Sequence, residues 1–211
     1  MKHERTGIRT VVHAAAVLLA ASLFAGNVRS APLVLNPVAD GAIYTCNGCN
    51  PVSDGAYVLV AGYIQGVVKF STSQIGTNLT QATLSLNPYG LPLFDKTVDV
   101  YGYGTAEGSL VESDGFAGTY LGTWQIPENL GFGQDTYFDV TAFLATVNAP
   151  YVAFNLRSDT GTDVFSSLEY NYGHPAQLSV TTVPVPGAAI LFCSALAGLV
   201  SIRRRNSFIS A

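Results

Sequence analysis

Tyr151–Arg157 reads YVAFNLR. Val152, Phe154 and Leu156 alternate with Ala153, Asn155 and Arg157. A period of two puts one set of side chains into a core and the other toward solvent, which is the signature of a half-buried strand. Gln81–Asn87 (QATLSLN) repeats the pattern, with Ala82, Leu84 and Leu86 against Thr83, Ser85 and Asn87. Val98 and Val100 do the same in KTVDVYG, as do Leu178 and Val180 in AQLSVTT. Further strands are expected at Ala42–Tyr44, Tyr57–Ala61, Gly66–Phe70, Tyr120–Gln125, Thr136–Val140 and Val164–Ser167. Turn-forming clusters separate them, among them Asn87-Pro88-Tyr89-Gly90, Asp114-Gly115, Asn129-Leu130-Gly131 and Asp159-Thr160-Gly161. Many short strands at regular turn spacing predict an all-β sandwich or barrel. A single helix is expected over Val140–Val147, where the Asp139 carboxylate can accept amide hydrogens of the first turn. There is no internal repeat and no low-complexity run.

The two ends read differently. Lys2, Arg5 and Arg9 give a basic start, and an apolar run follows from about Val11 to Ala25. Val28 and Ser30 then place small residues three and one before a cut at Ala31. That layout predicts a secretory signal peptide over residues 1–30, the alternative being a short membrane anchor. At the other end, Val183–Arg205 reads VPVPGAAILFCSALAGLVSIRRR. Residues 183–202 supply the roughly 20 mainly apolar positions that a membrane helix needs. Arg203, Arg204 and Arg205 would hold the end on the cytoplasmic side. Residues 206–211 are then a short cytoplasmic tail, and everything before Val183 faces out. The alternative is a buried core helix, but polar residues at helical spacing are almost missing.

The order of Pro184 and Pro186, a small-residue-rich apolar span and an arginine cluster resembles the PEP-CTERM sorting signal of Gram-negative bacteria. Val185 stands where the name-giving form has glutamate. The resemblance implies processing by an exosortase-type enzyme. It also implies an inner-membrane intermediate and release to the cell surface or extracellular matrix.

Residues 31–182 remain as one domain, long enough to bury a core. Its basic residues are Lys69, Lys96 and Arg157, against thirteen Asp and Glu, a formal balance of −10. Clustered Lys and Arg are what phosphate binding requires, so nucleic acid is excluded as a partner. Cations, or neutral partners such as sugars, suit this charge.

Within the domain, GVVKFSTSQIG…LTQATLSLNPYG, TYFDVTAFLATV and YVAFNLRSDTGTDVFSSLEYNYGHPAQLSVTT together resemble the DNRLRE-type domain. The shared features are a strand ending in an aromatic, a T-x-A-T-L-x-L strand, an F-D-V-T helix start and a final P-x-x-L-x-V strand. The resemblance covers roughly residues 40–182. It implies a secreted jelly-roll domain similar to carbohydrate-binding modules. The fold class expected is all-β: a single jelly-roll-like antiparallel β-sandwich with one short helix, flanked by a signal peptide and a C-terminal transmembrane helix.

Chemistry-bearing residues are few. Cys46 and Cys49 form a C-x-x-C pair in TCNGCNPVSDG, without the second pair a zinc site needs. The loop-forming residues around them favour a local disulfide in an exported protein. A redox role, free thiols or a bridge to another molecule are the alternatives. His174 is the domain's only histidine, and neither G-x-S-x-G nor H-E-x-x-H occurs, so no enzyme is expected. Calcium is the one cofactor with a foothold. Jelly-roll binding modules often hold it near their first strand, which points to Asp40; solvated loop acids are the competing reading. An ion pair between Arg157 and Glu169 is expected to be structural.

Sugar rings stack on exposed aromatic faces. Tyr101, Tyr103, Trp124, Tyr170 and Tyr172 are the candidates for that role, and ordinary core and rim packing is the alternative for each. Tyr101 shares its strand face with Asp99 and not with the core valines. Two functions compete: a module binding the producer's own exopolysaccharide, or a self-associating matrix protein of a biofilm without a specific glycan. An aromatic strip on a sheet face would favour the first, and long unprotected edge strands the second.

Overall fold

The computed structural model describes residues 31–46, 52–53, 57–88, 97–127, 130, 133–159, 162–169 and 174–183. The expected signal peptide (1–30) and the sorting segment, with Pro184, Pro186 and Arg203 to Arg205, lie outside the described residues. No helix among the described residues is long and apolar enough to cross a membrane.

Residues 31–182 form a compact unit of two antiparallel sheets. In chain order the strands are β1 (Leu33–Leu35), β2 (Ala39–Tyr44), β3 (Val52–Ser53), β4 (Tyr57–Ala61), β5 (Ile64–Ser71) and β6 (Leu79–Leu86). There follow β7 (Thr97–Thr105), β8 (Thr119–Gln125), β9 (Thr136–Asp139), β10 (Tyr151–Arg157), β11 (Thr162–Ser166) and β12 (Gln177–Thr182). The small sheet runs β1-β12-β6-β9. The large sheet runs β11-β4-β5-β10-β7-β8, with β2 also paired to β5 and β3 to β2. The period-two segments are all strands, and β4 and β10 have the expected bounds. Their apolar faces meet in one core that includes Val68, Phe70, Leu84, Val100, Phe154, Leu156 and Leu178.

Strand β4 is ladder-paired with β5 only at Ala61↔Ile64, across the turn at Gly62 and Tyr63. Beyond that point β4 crosses over the core face of β5. A Cβ on Gly66 would lie 2.6 Å from Val58 Cγ1, so glycine is needed for the crossing. Its partner β11 reaches the small sheet through the bridge Pro88↔Phe165 and the bond from Ser166 N–H to the Asn87 carbonyl, 2.9 Å.

The helix is shorter than its expected range, Thr141–Leu144. Asp139 Oδ1 accepts the Thr141 N–H at 2.8 Å as expected, but the helix begins one residue later, so that Val140 and not Asp139 stands at the N-cap, without a side-chain cap bond. Beyond Leu144 the bonds tighten to i→i+3, Thr146 N to Phe143 O and Val147 N to Leu144 O. The β-branched Thr146 and Val147 and the nearby Pro150 suit an early stop.

One further segment was not expected. After β7 the chain leaves the sheet edge, crosses the outer face of the large sheet, makes a 3-10 turn at Glu112–Gly115, and returns to start β8. This crossing segment decides which outer-face residues are sealed and which are open.

Candidate functional site

Register places the outer-face residues of the large sheet in rows. In one row Lys69 (β5) stands opposite Ala153 (β10), which stands opposite Tyr103 (β7). In the next, Val67, Asn155, Tyr101 and, past a bulge, Tyr120 follow one another. In a third, Arg157 (β10) faces Asp99 (β7), and Asp99 faces Thr123 (β8).

The first row is sealed. Lys69 is fully buried, and its ammonium meets Asp114 Oδ2 at 2.8 Å and the Ser109 carbonyl at 2.7 Å. Asp114 Oδ1 accepts the Tyr103 hydroxyl at 2.6 Å, and Oδ2 also accepts the Val111 N–H at 2.7 Å. Asn155 donates its amide to the Asp114 carbonyl at 2.6 Å. Burial, followed by the hydrogen bond and the negative charge of Asp114, pushes the Tyr103 hydroxyl far above its ordinary pKa of 10.0. Gly115 lies so close to Ile43 that a Cβ would be 2.6 Å from Ile43 Cγ2. The cluster is a fully bonded staple that holds the crossing segment on the sheet.

The last row is open. The Arg157 guanidinium lies over the Tyr101 ring, 3.9 Å from its centroid. Its Nη2 donates to the Ala117 carbonyl at 3.1 Å and its Nε to Asn155 Oδ1 at 3.3 Å. Tyr101 meets Tyr120 edge to face at 5.5 Å, and Tyr120 is 51% exposed. The Tyr120 hydroxyl lies 2.6 Å from Thr123 Oγ1, which donates to Asp99 Oδ1 at 2.6 Å. A ring face, a fixed guanidinium, a hydroxyl and a carboxylate therefore share one accessible patch.

The aromatic candidates separate accordingly. Tyr101 is in the patch, on the face expected for it. Tyr103 serves the staple. Trp124 belongs to the core: it is 2% exposed, packs on Phe138 at 5.6 Å, and donates its indole N–H to Thr136 Oγ1 at 3.0 Å. Tyr170 and Tyr172 lie outside the described residues. Tyr120, Arg157, Asp99 and Thr123 join the patch without a binding signal of their own in the sequence. Alternation alone puts Arg157 and Asp99 on the non-core face, but which strands adjoin is not a property of one segment.

Asp40 is 2% exposed, and its carboxylate accepts the Leu168 N–H at 3.1 Å. Among the described residues no group of three or more His, Cys, Asp or Glu side chains is arranged to hold a metal ion. Cys46 is disulfide-bonded, and Cys49 lies outside the described residues. His174 Nδ1 is 3.4 Å from Asp135 Oδ1, which also accepts the Asn87 amide at 3.0 Å. Glu169 lies exposed in a turn, and no ion pair joins it to Arg157, whose guanidinium is turned toward Tyr101 and Ala117.

No family model matches this chain, and no curated protein matches it.

Proposed function

We propose that this chain is an exported, non-catalytic module of the cell surface or extracellular matrix. In this reading its jelly-roll domain binds exopolysaccharide through the outer face of β10, β7 and β8. The observation that carries the proposal is the open patch of Tyr101, Tyr120, Arg157, Asp99 and Thr123. Stacking area beside convergent donors and acceptors is what sugar recognition needs. The domain's acidic balance is compatible with such a ligand and disfavours nucleic acid. Delivery rests on the sequence of the two ends: a signal peptide over 1–30, then an exosortase-processed segment over 183–205. Calcium at Asp40 stays within the proposal as a structural ion. Native gels containing the producer's exopolysaccharide, run with and without EDTA, test it. Retardation is expected for the parent chain and not for Tyr120→Ala. Loss of retardation with EDTA would bring Asp40 and calcium into the site.

One observation favours the second reading, a self-associating matrix protein. Thr119–Gln125 (β8) ends the large sheet with no charged residue and no proline, the protections such edges usually carry. The bulge between Val100 and Tyr101 twists that edge and works against pairing. Sedimentation across a concentration series decides it: a constant monomer mass removes this reading.

A further inference from the structure

Arg157 and Asp99 stand directly opposite each other on adjacent strands. Residues so placed have Cβ atoms about 5 Å apart, close enough for an arginine and an aspartate to pair. They do not. Among the described residues the close contacts between a basic side chain and a carboxylate are Lys69–Asp114 and His174–Asp135. Each of the two groups is drawn away from the other. Tyr101 and the Ala117 carbonyl hold the guanidinium on one side, and Thr123 holds Asp99 Oδ1 on the other. Arg157 Nη1 and Asp99 Oδ2 take part in none of these bonds. The row thus holds a donor and an acceptor kept apart in fixed positions.

We infer that this row reads an uncharged sugar, with neighbouring ring hydroxyls bridging the Arg157 guanidinium and the Asp99 carboxylate. The inference rests on the glycan-binding reading and names the class of glycan. A hydroxyl both donates and accepts, so a pair of them satisfies both groups at once. A sugar carboxylate satisfies only Arg157 and is set against Asp99. The domain adds a long-range penalty, since thirteen acids against three bases repel a polyanion. Tyr120 supplies the exposed ring face next to the row.

The test runs the full chain through native gels containing dextran, galactomannan, polygalacturonate, methyl-esterified polygalacturonate or the producer's exopolysaccharide, at low and high salt. Retardation by at least one uncharged polymer is expected, insensitive to salt, with none by free polygalacturonate. Asp99→Asn and Arg157→Gln should each weaken binding about tenfold or more, the size of a lost hydrogen bond to a charged group. Near-UV circular dichroism should stay native. If Arg157→Gln disturbs the fold, Asp99→Asn and Thr123→Ala carry the test. Tighter binding of free polygalacturonate than of its ester, lost at high salt, overturns the uncharged class and leaves the glycan reading standing. Binding indifferent to Asp99→Asn and Arg157→Gln overturns the row as the reader and again spares that reading. Retardation by none of the five polymers overturns both.

Discussion

Lys69 and Arg157 are both cations on the outer face of the large sheet, on adjacent strands, and they have opposite fates. Lys69 lies under the crossing segment, fully buried and paired with Asp114 at 2.8 Å. Arg157 lies at the segment's margin, half-buried, stacked on Tyr101 and paired with no carboxylate among the described residues. Tyr103 and Tyr101 divide in the same way, two residues apart on β7. A polar residue on a sheet's outer face is therefore structural where a passing chain segment supplies all its partners, and stays open where the segment supplies only one, as Ala117 does for Arg157. Buried charge demands a complete set of bonds, and Lys69 and Asp114 have one. An exposed edge of the same face can leave bonding capacity for a ligand.

Substitutions can break or sharpen this division. The largest effect is expected from Asp114→Ala, which leaves Lys69 buried without a counter-charge and frees the Tyr103 hydroxyl. A loss of about 3–5 kcal/mol is expected by urea unfolding. Tyr103→Phe removes one charged hydrogen bond and should cost about 2 kcal/mol in the same measurement. A loss below about 0.5 kcal/mol would mean that the hydroxyl is not part of the staple. Tyr120→Ala, in the open half, should change stability by no more than about 0.5 kcal/mol, as for an exposed site, while removing retardation in the glycan gels. That separation of stability from binding is the sharpest form of the comparison.

The smallest effect belongs to Asp139 at the helix start. The hydrogen bonds from the Thr141 side chain and backbone lower its pKa below the ordinary 3.8. A carboxyl lowered on folding adds stability at pH values above its unfolded pKa, and that stability is lost as pH falls through the folded value. Asp139 is exposed, so solvent screens the effect, and Asp139→Ala should cost about 0.5 kcal/mol. The difference in Tm between variant and parent should be present at neutral pH and shrink below pH 3.8.

Most strands were legible because period two survives any context. YVAFNLR and QATLSLN name their own core faces. Two short strands were not: Leu33–Leu35 has three residues and Val52–Ser53 two, too few to show a period. The crossing segment was illegible for a different reason. Its Asp114-Gly115 reads as a turn, and a 3-10 turn is there, but nothing local says that Asp114 points into a sheet. The partner of Asp114 is Lys69, 45 residues away in sequence, and its strand face looks like a solvent face. A weak signal existed. Val67, Ala153 and Asn155 stand on that same outer face without charge, unusual beside so many acids. Within the site, Tyr101 and its face were legible, while Tyr120, Arg157 and Thr123 needed strand order. Trp124 reads from sequence as a ligand candidate because aromatics at a strand end are ambiguous between core and rim.

On the proposed reading the open half of the face binds a glycan and the sealed half does not. Its most direct test is affinity electrophoresis of the parent chain and Tyr120→Ala in the producer's exopolysaccharide, with unfolding curves for both. Retardation of the parent, its loss in Tyr120→Ala and superimposable unfolding curves are predicted. Equal mobility of the two chains, with or without polysaccharide, would contradict it.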